Sequence, residues 1–341
     1  MADQALAEGR FGGRPLRPMD GERILLALLA VYVGVLAAWP LARLFGEALA
    51  PAAGTPFGLV SRVWSSPATQ RALANTLEAG LAATALSVVI GTAAALLVGL
   101  TDIRGKAAAV FLLLLPLLVP PQITALAWIE LTGSGSPILA PLGLAPAPGT
   151  TNPLYSRLGV ILVMGVEHAT IVFLAVRAGI RGLPRDLVEA ARVAGSGPGR
   201  VVATVVLPLL RPAILAGAAL AFVSAIGNFG VPALLGIPGR YPMLTTLIYQ
   251  RLSGFGPRVL GEVAALALIL AALAAAGLAI RALVMRKARS VTTRSGPARP
   301  FALGRARPWA EGALWTFLIP TAVLPLLALA ASSLTPAVGW P

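Results

Sequence analysis

The sequence predicts an all-α fold, a polytopic bundle of transmembrane helices with about six spans plus the first span of a second repeat. Three observations predict it. Hydrophobic residues make up 57% of the 341 residues and charged ones only 12%, where a soluble domain carries about 25% charged residues. Apolar runs of roughly 20 residues recur along the chain, the length that crosses a ~30 Å hydrocarbon core as a helix. The alternating ten-residue segments expected of a membrane β-barrel (~10 residues each) do not occur. A bilayer offers no water to backbone groups, so a helix that satisfies them internally is the remaining solution.

Residues 1–23 are polar and basic, with Arg10, Arg14, Arg17 and Arg23, and are expected to form a cytoplasmic N-terminal segment. The apolar run 24–45 exceeds the roughly 7–15-residue core of a signal peptide and leads into Trp39-Pro40-Leu41, so it reads as a retained first span. The second span, 76–100, carries Gly80, Ala83, Gly91 and Ala94, small residues that suit close helix packing. After the polar turn of Asp102, Arg104 and Lys106, the third span, 107–130, is broken by Pro116, Pro120 and Pro121. Proline removes a backbone hydrogen bond and kinks a helix, which a membrane tolerates only against protein or water. A Gly/Pro-rich loop, 132–157, leads to the fourth span at 158–176.

A polar, arginine-rich island follows at 182–214, then a fifth span at 212–226, an irregular segment at 227–257 and a sixth span at 259–283. The domain organisation is thus an N-terminal segment 1–23, a first transmembrane unit 24–283, a basic linker 284–313 and the start of a second unit, 314–341, whose span is 314–331. An internal repeat supports the second unit. Pro40-Leu41 aligns with Pro325-Leu326, Pro51 with Pro336, Gly54 with Gly339 and Pro56 with Pro341, all at one offset of 285. A lone seventh span lacks partners, so the expectation is a second copy cut short.

The net charge of +14 follows from topology. With the N-terminus in the cytoplasm, 20 of the 27 lysines and arginines fall on the cytoplasmic side, as the positive-inside rule requires. The lipid bilayer therefore accounts for the cations, and nucleic acid is not an expected partner. There is no cysteine, and the single histidine rules out a multi-histidine metal cluster; no metal and no cofactor are expected. No Gly-rich phosphate loop is present either, because Gly105-Lys106 continues into Ala107. No acid, base and nucleophile assemble into a catalytic set.

Within the island, Gly182-Leu183-Pro184 is a helix-start signal and Asp186 suits the positive end of the helix dipole. Glu189 can pair with Arg185 and Arg192 at helical spacing. Leu187, Ala190, Ala191 and Ala194 give a small, mildly apolar surface, and Gly195-Ser196-Gly197-Pro198-Gly199 ends the helix. Such a helix either docks into a groove of another protein or packs on its own bundle.

These residues resemble the signature of binding-protein-dependent ABC importer permeases. In that pattern Glu189-Ala190-Ala191 is followed after three residues by Gly195, and after nine more by Val205, Val206, Leu207 and Pro208, with Val205 where the family more often has isoleucine. Pro116, Pro120, Ala125, Ala127 and Trp128, and the stretches beginning Asn228-Phe229-Gly230 and Leu244-Thr245-Thr246, are similar to the fused two-unit iron(III) permeases. Asn228 stands where that branch more often has aspartate. The resemblance implies a type I ABC importer permease with Asp186, Glu189, Ala190, Ala191, Gly195, Leu207 and Pro208 coupling it to ATPase subunits. It also implies two such ATPase subunits, which supply the hydrolysis that this chain has no site for, and an extracytoplasmic solute-binding protein. The setting is a bacterial cytoplasmic membrane, and the solute is iron(III) ahead of thiamine, phosphonate or polyamine.

Three polar residues lie at membrane depth. Glu167 and His168 sit near the middle of the fourth span, where an unpaired charge costs at least ~2.5 kcal/mol, so they either line the translocation path or a gate, or form an internal pair or hydrogen-bonded packing contacts. Asn228 opens the irregular segment and is a further pathway candidate. A stand-alone secondary transporter is the competing expectation, and it would need no Glu189 helix.

Overall fold

The computed structural model describes residues 20–49, 57–254, 256, 259–287 and 301–334, and among them the regular elements are helices. In chain order these are α1 (Asp20–Leu49), α2 (Gly58–Trp64), α3 (Pro67–Leu100), α4 (Lys106–Leu118), α5 (Pro121–Thr132), α6 (Arg157–Arg181), α7 (Arg185–Val193) and α8 (Pro198–Val201). They continue with α9 (Leu207–Gly227), α10 (Leu244–Leu252), α11 (Val259–Lys287), α12 (Arg307–Leu318) and α13 (Leu324–Leu334). Among the described residues six helical runs are long and apolar enough to span a membrane, seven if the bent pair α4–α5 counts as one span.

α3 begins nine residues before the expected span. Pro67 occupies its first turn, where a missing N–H costs nothing and φ is already helical. Thr69, Gln70, Arg71 and Asn75 hide these roughly two and a half turns from a hydropathy reading, although they do not disfavour helix. At 34 residues α3 is about 51 Å long and must project beyond the hydrocarbon.

The third span departs furthest from expectation. It is not one kinked helix, because α4 and α5 meet at 110°. Val119, forced out of the helical region by the proline after it, is extended at φ −102° and ψ 128°, and Pro120 follows at φ −55° and ψ 142°. Pro121 then opens a new helix. Two consecutive prolines thus turn the chain back on itself.

The prolines of the later spans act differently. The run Pro198–Gly227 stays continuous past Pro208 and Pro212 through a π-helical turn at Val202–Val206. The run Gly304–Leu334 does the same past Pro325 with a π-helical turn at Ile319–Val323. In both, the residue four before the proline (Thr204 for Pro208, Thr321 for Pro325) lies inside the π turn. The proline ring clashes with that residue's carbonyl in a regular helix, and the wider turn moves the carbonyl away.

α6 is the central post, packed against α3 on one side and α9 on another. Glycine makes the approach to α3 possible, since a Cβ on Gly91 would lie 2.6 Å from the Ala169 carbonyl oxygen. Ser87 donates to the Gly165 carbonyl at 2.8 Å across the same seam. One apolar cluster fills the island end of α6 with Phe173, Val176, Ile180, Val188, Val201, Val206 and Leu210. A second fills the opposite end with Val160, Met164, Val231, Leu235 and Met243.

The two stretches that align at offset 285 have different neighbours. α1 lies on α11 and α2, leaving Leu25, Val31 and Leu36 exposed on a surface suited to lipid. α12 and α13 lie on α4 and α5, and Ser332 Oγ donates to Glu130 Oε2 at 2.8 Å. Helix α12 starts at Arg307, earlier than the expected unit boundary at 314, because Pro308 in its first turn favours initiation there. The aligned pairs Pro51/Pro336, Gly54/Gly339 and Pro56/Pro341, like Arg10, Arg14, Arg17 and the linker cations Arg289, Arg294 and Arg299, lie outside the described residues.

Candidate functional site

The island folds as α7, a sharp turn, α8 and the π-helical entry to α9. Leu183 and Val188 are buried in the apolar cluster at the end of α6 and anchor α7 from one side. Its other side faces outward: Asp186, Leu187, Ala190, Val193 and Ala194 are exposed, Val193 to 89%. Ala191 departs from the expected surface, since it packs partly buried against the cluster while Ala190 points out. Consecutive helix residues are separated by about 100°, so the paired alanines divide between the two faces.

Gly195 explains why the helix stops where it does. Its φ of +81° is left-handed, a conformation that costs other residues roughly 1–2 kcal/mol. In that conformation Ser196 N donates to the Ala191 carbonyl at 3.1 Å and Gly195 N to the Arg192 carbonyl at 3.0 Å. These two bonds form the Schellman cap that satisfies the last carbonyls of α7 and aims the chain back toward the bundle. Leu207 and Pro208, partly buried, then open α9. The signature residues therefore make one device: an exposed face, a reversal and a proline-adapted return.

Arg192 of α7 lies over the Phe301 ring at 5.1 Å, a cation–π contact. Phe301 is fastened in turn, its N–H donating to the Leu100 carbonyl at 2.6 Å. Next to it the Asp102 carboxylate accepts from Leu303 N at 3.0 Å and faces Arg307 at 3.8 Å. The Leu303 N–H, ahead of the cations Arg307 and Lys106, holds that carboxyl below the usual carboxylate range. Glu311 accepts from Arg104 N at 2.7 Å and from Arg307 Nε at 2.9 Å. Nothing in the sequence announced this clasp, whose partners lie about 200 positions apart.

At membrane depth Glu167 and His168 do not satisfy each other. His168, 3% exposed, faces the Met164 carbonyl at 2.6 Å from Nδ1. Glu167 Oε2 accepts from Asn228 Nδ2 at 3.2 Å. Asn228 Oδ1 accepts from Val231 N at 3.1 Å, and its carbonyl accepts from Thr245 Oγ1 at 2.9 Å. Asn228 therefore ties α6, the end of α9 and α10 together. This geometry explains the amide where aspartate was expected: with one oxygen committed to Val231 N–H, only an amide presents a donor to Glu167. A second carboxylate would meet the first without one.

Glu78 of α3 lies at the end of α6 away from the island. The structure gives it partners: Arg157 Nη1 at 2.8 Å and the Tyr241 hydroxyl, which donates to it at 3.0 Å. That hydroxyl also lies 3.0 Å from the Asn75 carbonyl, and Asn75 Nδ2 donates to the Pro242 carbonyl at 2.8 Å. Burial, then Glu78, push the Tyr241 hydroxyl above its ordinary pKa, so it stays a donor.

A bundle of membrane-crossing helices that holds an exposed, Schellman-capped helix between two of its spans is the architecture of a type I ABC importer permease. The chain belongs to the family of binding-protein-dependent transport system inner membrane components, whose model matches residues 91–290. It is similar to a probable molybdenum ABC transporter permease of Haloferax volcanii, 32% identical over 165 residues, 48% of this chain and 58% of that protein. A probable sulfate transport system permease of Anthoceros angustus is 26% identical over 205 residues, 59% of this chain and 69% of that one. A putative 2-aminoethylphosphonate transport system permease of Salmonella choleraesuis is 28% identical over 246 residues, 69% of this chain and 82% of that one. The fold matches a bacterial ABC transporter involved in the import of alginate, with a TM-score of 0.62 at 19% identity, covering 78% of this chain and 96% of that one.

Proposed function

We propose that this ABC importer permease component moves an oxyanion across a cytoplasmic membrane and takes its energy from ATPase subunits docked on α7. The observation that carries the coupling is the outward face of α7. Leu187, Ala190, Val193 and Ala194 leave a low, apolar surface that a groove can cover, bordered by Asp186 and Glu189, while Leu183 and Val188 root the helix in the bundle. A push on α7 reaches α6 and α9 directly, because Val188, Val201 and Val206 share one core with Phe173 and Leu210.

In this reading two ATPase subunits drive the cycle from the cytoplasmic side and an extracytoplasmic solute-binding protein delivers solute from the other. The cation asymmetry supports a cytoplasmic N-terminus, and the repeat at offset 285 supports a second unit beginning after α11. In the same reading Glu167, His168 and Asn228 belong to the translocation pathway, the first two on the central helix α6 and the third at the end of α9.

The expectation of iron(III) finds no support in the relatives compared above, whose names refer to molybdenum, sulfate and 2-aminoethylphosphonate. Molybdenum travels in water as molybdate, so all three are tetrahedral oxyanion chemistries, and we assign the solute to that class. The test is uptake into cells expressing the whole transporter, using labelled molybdate, sulfate, phosphonate and iron(III) in parallel, with Glu189→Lys as the coupling variant. We expect one oxyanion to be taken up and the variant to lose ATPase copurification together with uptake. Uptake of iron(III) alone would overturn the solute class, and full ATPase retention by Glu189→Lys would overturn the docking site.

A further inference from the structure

Between the island-side ends of α3, α4 and α6 lies a cleft of about 580 Å³. Val98, Gly99, Val110 and Ile180 line part of it, and Lys106, Arg177 and Arg181 supply three cations. Among the described residues no acidic one is in its wall. Asp102, a carboxylate that feels the charge of Lys106, is already engaged with Leu303 N and Arg307. Lys106 donates one hydrogen bond to the Thr101 carbonyl, which leaves its remaining N–H groups for another acceptor. The Arg177 guanidinium rests over the Phe173 ring at 5.7 Å, which orients it without neutralising it. Arg181 is exposed at the last turn of α6.

Three cations facing one space repel one another, and a folded chain gathers them without a carboxylate only at a cost that a bound anion removes. The remaining walls specify that anion further. Val98 and Val110 continue the cleft along the apolar sides of α3 and α4, toward the hydrocarbon, where a fully hydrated ion gains nothing. We propose that this cleft binds a phosphate-type oxyanion, carried by the headgroup of an anionic phospholipid whose acyl chains lie along α3 and α4. Basic pockets between membrane helices at the interface suit such headgroups. The site is separate from the α7 docking face, so its fate in a test is independent of that of the coupling helix.

The experiment is native mass spectrometry of the purified full chain with 1-palmitoyl-2-oleoyl phosphatidylglycerol or the matching phosphatidylcholine, with and without millimolar inorganic phosphate. We expect phosphatidylglycerol to be retained at least tenfold more strongly than phosphatidylcholine. The combined Lys106→Gln, Arg177→Gln and Arg181→Gln variant should abolish that preference. The single Arg181→Gln change, at an exposed side chain, should lower it several-fold without touching the fold, which covers the case of a triple variant that fails to fold. Binding of inorganic phosphate that Arg181→Gln weakens, with no lipid preference, would uphold the oxyanion chemistry and give it a soluble source. Equal retention of both lipids, unaffected by phosphate and by Arg181→Gln, would overturn the proposal.

Discussion

The two ends of α6 handle charge in opposite ways. At its start Arg157 is spent on Glu78, and Glu78 also receives the Tyr241 hydroxyl, so side chains from α3, α6 and the segment before α10 close on each other. At its end Arg177 and Arg181 face a cleft with no acid in its wall among the described residues, and the neighbouring island presents α7 outward. One end is internally complete, whereas the other leaves chemistry for something else to satisfy. The proposed coupling face and the proposed lipid cleft both lie at the end of α6 that carries the island, whereas the other end is closed by the Glu78 contacts.

Substitutions can break that comparison in descending order of effect. Glu189→Lys at the open end should reduce ATP-driven uptake at least tenfold with membrane insertion unchanged, as read by transport and by yield of the purified protein. Asn228→Asp, midway along, should destabilise the bundle by about 3 kcal/mol by leaving a carboxylate against Glu167 without a donor. Adding Glu167→Gln should recover most of that loss in thermal unfolding, and a failure to recover would place the cost elsewhere. Gly195→Ala should cost roughly 1–2 kcal/mol through the left-handed backbone; uptake should fall further than melting temperature does, since the reversal after α7 is what orients the helix.

Changes at the closed end should be smaller. Tyr241→Phe removes a hydroxyl that lies near both the Glu78 carboxylate and the Asn75 carbonyl, which should cost about 1 kcal/mol. Its pKa is raised in the fold, so its contribution is present below the unfolded value of about 10 and is lost as pH rises beyond that. The melting temperature of the wild type should therefore fall more steeply above about pH 10 than that of Tyr241→Phe. Arg157→Gln removes an exposed pair and should shift stability by no more than about 1 kcal/mol, with uptake unchanged. A tenfold loss of uptake there would erase the contrast between the two ends.

Much of the open end was legible before any coordinates. Gly195 signals a helix stop because few other residues reach its backbone conformation cheaply, and the spacing from Glu189 to Pro208 is a local pattern. The closed end was not legible. Arg157 and Glu78 are 79 positions apart and Tyr241 is 163 from Glu78; no local pattern joins them. Asn228 was visible as a polar residue at membrane depth, but its preference over aspartate depends on Glu167 and Val231 meeting it together. The even division of Ala190 and Ala191 between faces also needed the docking angle of α7, which Val188 and Leu183 set.

The sequence by itself determined what hydropathy, proline and glycine determine: which segments enter a bilayer, where α7 ends and where α4 must stop. Each of these is a property of a few consecutive residues, whose backbone must either bond to itself in lipid or take the dihedral angles the side chain permits. Only the tertiary structure decided that the break after Leu118 is a 110° turn, that the helical run continues past Pro208 through a π turn, and that Phe301 lies under Arg192. Those outcomes depend on which surfaces meet across hundreds of residues. The energy of each contact is realised only once close packing has chosen among the many pairings that local preference allows.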